Sequence, residues 1–503
     1  MMGTCRIGVG RTRLTPTAPG ANCGWGFTGR KDVRPPDEAD QELYATALAL
    51  EDPVGRRVVF VNVDLHAGGA HLWRAAVDAS GLDSSCVVLC GTHTHAGPGQ
   101  RYSPLYNLFA PATPIGMLKS GRRLENLVAE AVAASRDALA PGGIDVVRGA
   151  ASGTGSNRAL PAWFHYDAGL RAEFATTGPG AAIADEDDEA DGCRDPRVTA
   201  LVARSDDGAQ RCVLAWHAVH GTSLGPKWPT FGAGLFGVAR ARAEAELPGT
   251  LVGFGGGASG DISPLPVDER GELRTGDSGR PTEQGRELAE TVGSRLGAAL
   301  VSIVSTAAPG PFTLASAHEH WRPTRTGLPG PLFGMATMGA GVDGPTDLRP
   351  RVGDGIHAPL YRRRRRWRRP MSHGQGPKIS IACAVSPIPL PIGPIVRALA
   401  PRLLPLHAIR VNDHTFATVP GEATTIAGWR IERSVADAAG TSSASVIGFA
   451  GEYAGYWVTP EEYLEQRYEG SSTLWGRQAT TVLQQRLTAL ASTLRPPGPG
   501  DAG

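Results

Sequence analysis

The sequence predicts a mixed α/β fold: one large layered catalytic domain in which a mixed β-sheet is flanked by helices. Three observations lead there. Short apolar, β-branched runs alternate with stretches of helical period, which suits stacked sheets and helices better than an all-α or all-β arrangement. The 66 glycines and 40 prolines among 503 residues imply many loops around the core. No internal repeat of roughly 20 to 50 residues is visible, which argues against a solenoid or propeller.

The expected strands are 58–63, 86–89, 212–216, 251–254, 415–419 and 445–449, each rich in valine, leucine, isoleucine or aromatic residues and followed closely by glycine or polar residues. Three helices are expected. Leu124, Leu127, Val128, Ala131 and Val132 share one helical face, as do Leu288, Val292, Leu296 and Ile303, and then Leu483, Leu487, Leu490 and Leu494. The acidic run 185–189 and the tail 495–503 read as loop or flexible chain, so the domain is expected to span 1–494. The stretch 309–376 has little periodic signal. Its basic run from Arg362 to Arg369 reads as a solvated surface segment, with an anion or lipid-headgroup patch as the alternative.

Fifty lysines and arginines balance 49 acids, so no global field favours nucleic acid. The most apolar stretch, 388–406, is broken by five prolines and carries Arg397 and Arg402, so no spanning helix is expected; peripheral lipid contact stays open. Seven scattered cysteines, without the spacing of a thiolate zinc site, read as reduced thiols. The N-terminus has no apolar core of the kind a secretory signal needs, and the expected location is the cytoplasm.

Chemistry-bearing residues cluster just past strand ends. After 86–89 comes Gly91-Thr92-His93-Thr94-His95-Ala96-Gly97-Pro98, with two histidines spaced to point the same way in extended backbone. Residues 212–216 lead into His217-Ala218-Val219-His220-Gly221, 415–419 into Pro420-Gly421-Glu422, and 445–449 toward Glu452-Tyr453-Ala454-Gly455-Tyr456. Loops at the carboxyl ends of strands are where α/β enzymes build sites, and imidazoles with a carboxylate form the donor set of a catalytic zinc. The glycine-rich loop after 251–254 lacks the lysine and spacing of a nucleotide loop. Asp261 or Ser263 could instead form hydrogen bonds there. His66 reads as a buried histidine with its hydrogen bonds met, His217 likewise, and Tyr453 and Tyr463 as packed rings with paired hydroxyls.

Together with Trp216–Ser223, Gly260-Asp261-Ile262-Ser263-Pro264, Val419–Thr425 and Glu462-Tyr463 with Gln466–Thr473, these segments resemble the neutral, non-lysosomal ceramidases. The resemblance implies a zinc site made by His93, His220, Glu422 and Tyr456. It also implies that His95 and Tyr468 hold the substrate carbonyl oxygen and that Arg158 contacts substrate. Zinc lowers the pKa of its water toward about 7, which gives a nucleophile at neutral pH. The family's loop around Ser263 is a rival nucleophile, but no base adjoins it in the sequence, so activated water is preferred. The chain departs from the family at Leu265, where an asparagine is usual, at His217, which competes with His220, and around Arg158, where serine and tyrosine positions are lost. No C-terminal immunoglobulin-like module is expected. The resemblance thus implies an amidase cutting ceramide or a related N-acyl lipid. The alternatives are a biosynthetic enzyme acting on a smaller N-acyl compound or forming amides, and a binding protein that kept the fold.

Overall fold

The computed structural model describes residues 3–23, 32–107, 114–183, 193–225, 228–265, 282–334, 336–337, 375–378, 380 and 393–495. Its strands are β1 (Arg6–Arg13), β2 (Tyr44–Glu51), β3 (Arg57–Val63), β4 (Val87–Gly91), β5 (Ala140–Ala150), β6 (Ser156–Asn157), β7 (Arg197–Ser205), β8 (Arg211–His217), β9 (Leu251–Gly256), β10 (Ile262–Ser263), β11 (Leu314–Trp321), β12 (Leu404–Val411), β13 (His414–Thr418), β14 (Glu422–Ala423), β15 (Ser443–Ile447) and β16 (Tyr456–Trp457).

The larger sheet has eight strands in the order β4-β3-β2-β1-β5-β7-β8-β9, and the smaller has four, β11-β12-β13-β15. The pairs β3/β4, β8/β9 and β13/β15 are parallel. The remaining neighbours in these two sheets run antiparallel. The sheets bury their inner faces against each other. Phe60 and Trp216 of the larger sheet meet Phe416 of the smaller with ring centroids 5.5 and 5.0 Å apart, among Leu48, Leu214, Ile409 and Ile447. Each such side chain taken from water contributes about 1.5–3 kcal/mol, and this interior holds the two sheets in one body.

Helices cover the outer faces. Ala70–Ser80 and Pro114–Asp137 bury Leu72, Trp73, Leu124 and Val128 on β2 to β4. Leu235–Glu246 and Thr282–Val304 cover β7 to β9 with Phe236, Val292 and Leu296. Thr425–Ala439 and Ala479–Ser492 cover the smaller sheet with Ile431, Val435, Leu483 and Leu487. The result is four layers, helix, sheet, sheet, helix, in agreement with the expected mixed α/β class.

All six expected strands and three helices are present, with ends shifted by one or a few residues. Strands β1, β2, β5, β7, β11 and β12 have no counterpart among the expected strands; β11 lies inside the stretch 309–376, which has little periodic signal. Gly10 shows why β1 is hard to read. A Cβ there would stand 2.1 Å from the carbonyl oxygen of Ala131, so the strand gives up a side chain to let the Pro114–Asp137 helix lie against it. Of the apolar stretch 388–406, residues 393–399 form a short helix and 404–406 begin β12. The acidic run 185–189, the basic run 362–369, residues 388–392 and the tail from 496 lie outside the described residues. Among the described residues no helix is long and apolar enough to cross a membrane.

Candidate metal centre and active site

Parallel pairing sets the site. Strands β3 and β4 end side by side, with Val63 opposite Gly91, and β13 and β15 do the same, with Thr418 opposite Ile447. The loops leaving these ends are laced by backbone bonds from His93 N to Leu65 O, Gly451 N to Leu89 O and Phe449 N to Gly421 O, each 2.9 Å long. His93 itself takes a left-handed backbone, φ 62°, rarely adopted by a side-chain-bearing residue. Its ring stacks on Phe449 at 4.1 Å. Gly421 has φ +137°, and a Cβ there would lie 2.1 Å from Gly455 O, so only glycine allows the turn that delivers Glu422. Glu422 and Tyr456 are then held opposite each other by the short parallel pair β14/β16.

His93, His220 and Glu422 converge: one donor atom of each lies within 4.8 Å of the others, and all three side chains are buried. Nδ1 of His93 is 2.7 Å from the carbonyl oxygen of His66, and Nδ1 of His220 is 2.7 Å from that of Ser259. A carbonyl only accepts, so both Nδ1 atoms carry the hydrogen and both Nε2 atoms present bare lone pairs. Those bare nitrogens face Glu422, His93 Nε2 at 3.4 Å from Oε1 and His220 Nε2 at 3.0 Å from Oε2. Oε2 accordingly has no hydrogen-bond donor although it is buried. Two lone pairs against a carboxylate, out of water, need a cation between them. A tetrahedral ion with bonds of about 2.0 Å spaces its ligands about 3.3 Å apart, close to the spacings here, and the nitrogen and oxygen donors suit zinc. Tyr453 donates to Oε1 at 2.5 Å.

Tyr456 adjoins this group through the backbone pair, and its hydroxyl accepts from Arg158 Nη2 at 2.9 Å. Burial, then the charge of Glu422, push the phenol well above its usual value, while Arg158 pulls it down. Arg158 also donates to Glu469 Oε1 at 3.1 Å and Gly260 O at 2.8 Å, and its guanidinium lies 5.8 Å from the Tyr468 ring centre. Tyr468 packs against Tyr456 at 5.3 Å. His95 is partly exposed, with Nε2 3.3 Å from His93 Nε2. The structure therefore brings His93, His95, His220, Glu422, Tyr456, Tyr468 and Arg158 into one neighbourhood.

Asp261 and Ser263 stand behind it. Oδ1 of Asp261 accepts from the backbone and hydroxyl of Thr425, and Oδ2 accepts from Asn157. Burial and the nearby Glu462 raise its carboxyl to about 7. The main chain of Asp261 accepts from Arg158 N at 2.8 Å. Ser263 is fully buried in the β6/β10 pair, its hydroxyl accepting from Leu265 N at 3.1 Å. His217 turns away, with Nε2 on Thr154 and Nδ1 on Arg197 O, as a satisfied buried histidine does. Tyr463 also has its hydroxyl paired, to Gln375. Two residues read as background belong to the site. His66 lies beside His93 and His95 with a ring nitrogen within 4.8 Å of theirs, and the partner of the Tyr453 hydroxyl is Glu422. His66 follows a strand end as His93 and His220 do, but its place beside His93 is set by the β3/β4 pairing.

A profile of the neutral/alkaline non-lysosomal ceramidase family, N-terminal region, matches residues 6–270 and 315–485. Neutral ceramidase of Mycobacterium tuberculosis is 28% identical over 538 residues, spanning 97% of this chain and 77% of that protein. Neutral ceramidase of Pseudomonas aeruginosa is 25% identical over 489 residues, spanning 90% and 67%. Among solved structures, one described as a ceramidase complexed with C2 superposes with a TM-score of 0.73 at 22% identity, covering 98% of this chain and 75% of that one. The crystal structure of the Pseudomonas aeruginosa neutral ceramidase gives 0.72 at 22% identity, covering 98% and 74%. At that identity the superpositions speak for the fold.

Proposed function

The chain belongs to the neutral/alkaline non-lysosomal ceramidase family, and from that premise we propose that it is a zinc-dependent hydrolase that cleaves the N-acyl amide bond of ceramide or a closely related lipid into fatty acid and amine. The observation that carries this reading is the pair of bare Nε2 atoms, on His93 and His220, flanking the buried Glu422 carboxylate. His93, His220, Glu422 and Tyr456 would hold the ion. When bound, zinc supplies water acidified toward a pKa of about 7 and polarises a carbonyl.

The protein's own groups do the rest. His66 O and Ser259 O fix the tautomers of the two histidines, so their Nε2 atoms stay available. His95, partly exposed beside His93, and Tyr468, whose hydroxyl burial and the Glu422 charge keep protonated at neutral pH, donate hydrogen bonds to the amide oxygen as charge develops on it. Arg158 steadies the Tyr456 hydroxyl and, through Glu469, the segment that carries Tyr468. Asp261 and Ser263 shape the loop beneath, their side-chain acceptors being engaged by Thr425, Asn157 and Leu265. The six described cysteines are free thiols, which fits a reducing compartment such as the cytoplasm.

The test is metal analysis of the purified protein followed by assay on ceramides of graded chain length and on short N-acyl amines, with wild type beside Glu422→Gln. We expect zinc near one per chain and fatty acid released from ceramide, both lost in the variant. Turnover of short N-acyl amines alone would move the assignment to a smaller substrate, and bound zinc without turnover of any amide would refute hydrolysis.

A further inference from the structure

We propose that Lys378 is a positioning residue for the hydrolysis: its buried side-chain nitrogen pins the short helix that carries Tyr468 and so places the Tyr468 hydroxyl on the amide oxygen. The inference rests on the hydrolase reading of the site. Tyr468 opens the five-residue helix Tyr468–Ser472. A helix of so few residues does not hold itself, and the carbonyl oxygens at its end lack partners within it. Its place must come from its neighbours.

Lys378 holds the carboxyl end. Its side chain is fully buried, and Nζ donates both to the carbonyl oxygen of Thr473, the residue that closes the helix, and to Leu332 O at 3.1 Å. The same nitrogen lies 5.1 Å from the centre of the Tyr463 ring. Residues 332–334 run beside this segment, with Leu332 N donating to Leu474 O at 2.9 Å and Gly334 N to Ser471 O at 2.8 Å. One amine thus joins the two stretches where they meet. Thr473 passes the restraint to two parts of the site. Its N–H donates to Glu469 O at 3.0 Å, and Glu469 in turn holds Arg158. It also pairs with Gly455, whose carbonyl accepts from Glu422 N. Lysine is rarely buried entirely, because the charged group must leave water, and burial here pushes its ammonium well below the usual lysine range. A methionine would fill the same space without that penalty but would take this donor from Thr473 O and Leu332 O. What the lysine adds is placement rather than bulk.

The experiment compares wild type, Lys378→Met, Tyr468→Phe and the double variant, each as the full chain, on a short-chain ceramide in detergent and on a short N-acyl amine. Tyr468 acts as charge develops on the oxygen, so Lys378→Met should lower kcat by about 10- to 100-fold with KM within about twofold of wild type and zinc content unchanged. Because Lys378 acts through Tyr468, the double variant should be slower than Tyr468→Phe by no more than about twofold, an outcome that a general loss of packing would not produce. Deuterium uptake at the Thr473 and Gly334 amides, which needs no turnover, should rise in Lys378→Met. Lys378→Gln still offers a donor; it should fall between Lys378→Met and wild type, and it carries the comparison if Lys378→Met folds poorly. Unchanged kcat in both lysine variants, unchanged uptake at those amides, or losses that multiply in the double variant would overturn this proposal and leave the hydrolase reading intact. Wild type that turns over neither substrate would overturn both.

Discussion

Tyr453 donates its hydroxyl hydrogen to Oε1 of Glu422, and both side chains are buried. The bond leaves Oε2 to face His220 and fixes the plane of the carboxylate. Tyr453→Phe keeps the ring, which packs edge-on to Tyr106 at 4.7 Å, and removes only the donor. We expect zinc affinity to fall by about 10- to 100-fold with the fold retained. Competition against a chromogenic chelator, with circular dichroism as the fold control, checks it.

Arg158 and Glu469 form an ion pair whose side chains are 3% and 8% exposed. Removing one partner strands the other charge out of water, so Arg158→Leu should destabilise by about 3–5 kcal/mol. Pairing it with Glu469→Gln should recover part of that loss. Urea unfolding of the two single variants and the double variant measures the coupling. A double-variant loss equal to the sum of the two single losses would show that the pair does not act as a unit.

Stability should also depend on pH through Glu452. Burial raises its carboxyl from 4.5 to about 7, against the opposing pull of the Tyr453 backbone N–H and Arg74. Between those two values the unfolded chain has released a proton that the folded chain still holds, so stability falls as pH rises from about 4.5 to 7 and is level outside that window. The full effect is about 3 kcal/mol. Glu452→Gln removes the titration. It should match wild type at pH 4 and be the more stable of the two at pH 8, as read from urea midpoints.

Gly421→Ala tests the turn before Glu422. The left-handed backbone and the Cβ position 2.1 Å from Gly455 O leave no room for a methyl group. A cost of about 2 kcal/mol or more is expected, together with weaker zinc retention, because the loop that places the carboxylate must shift. Thermal melts with and without added zinc report both.

How far the sequence carries the reading depends on whether a feature is local. Val58 to Val63 and Leu483 to Leu494 announce a strand and a helix because their apolar residues repeat at the period of the element. His93, His220 and Glu422 stand out for a related reason, each lying in a short polar turn after such a strand. Strand β1 escapes because Arg6, Gly8, Gly10, Arg11 and Arg13 break the pattern, and its burial comes from a helix more than a hundred residues away. His66 escapes for a different reason. Its place beside His93 follows from β3 pairing in parallel with β4, a long-range fact that no spacing within the loop encodes. Arg158 meeting Tyr456 across nearly three hundred residues belongs to the same class: the family likeness singles out both residues but not their contact.

The two-residue ribbon β14/β16 has a kinetic corollary. Glu422 N is bonded to Gly455 O at 2.9 Å, so the carboxylate and phenol that flank the proposed ion are fastened through the main chain rather than only through it. Opening that clasp separates the two side chains in a single motion, which makes escape of the ion and exposure of the Glu422 amide one event. Deuterium uptake at that amide should then keep pace with metal dissociation across chelator concentrations, giving a clock for occupancy that needs no turnover.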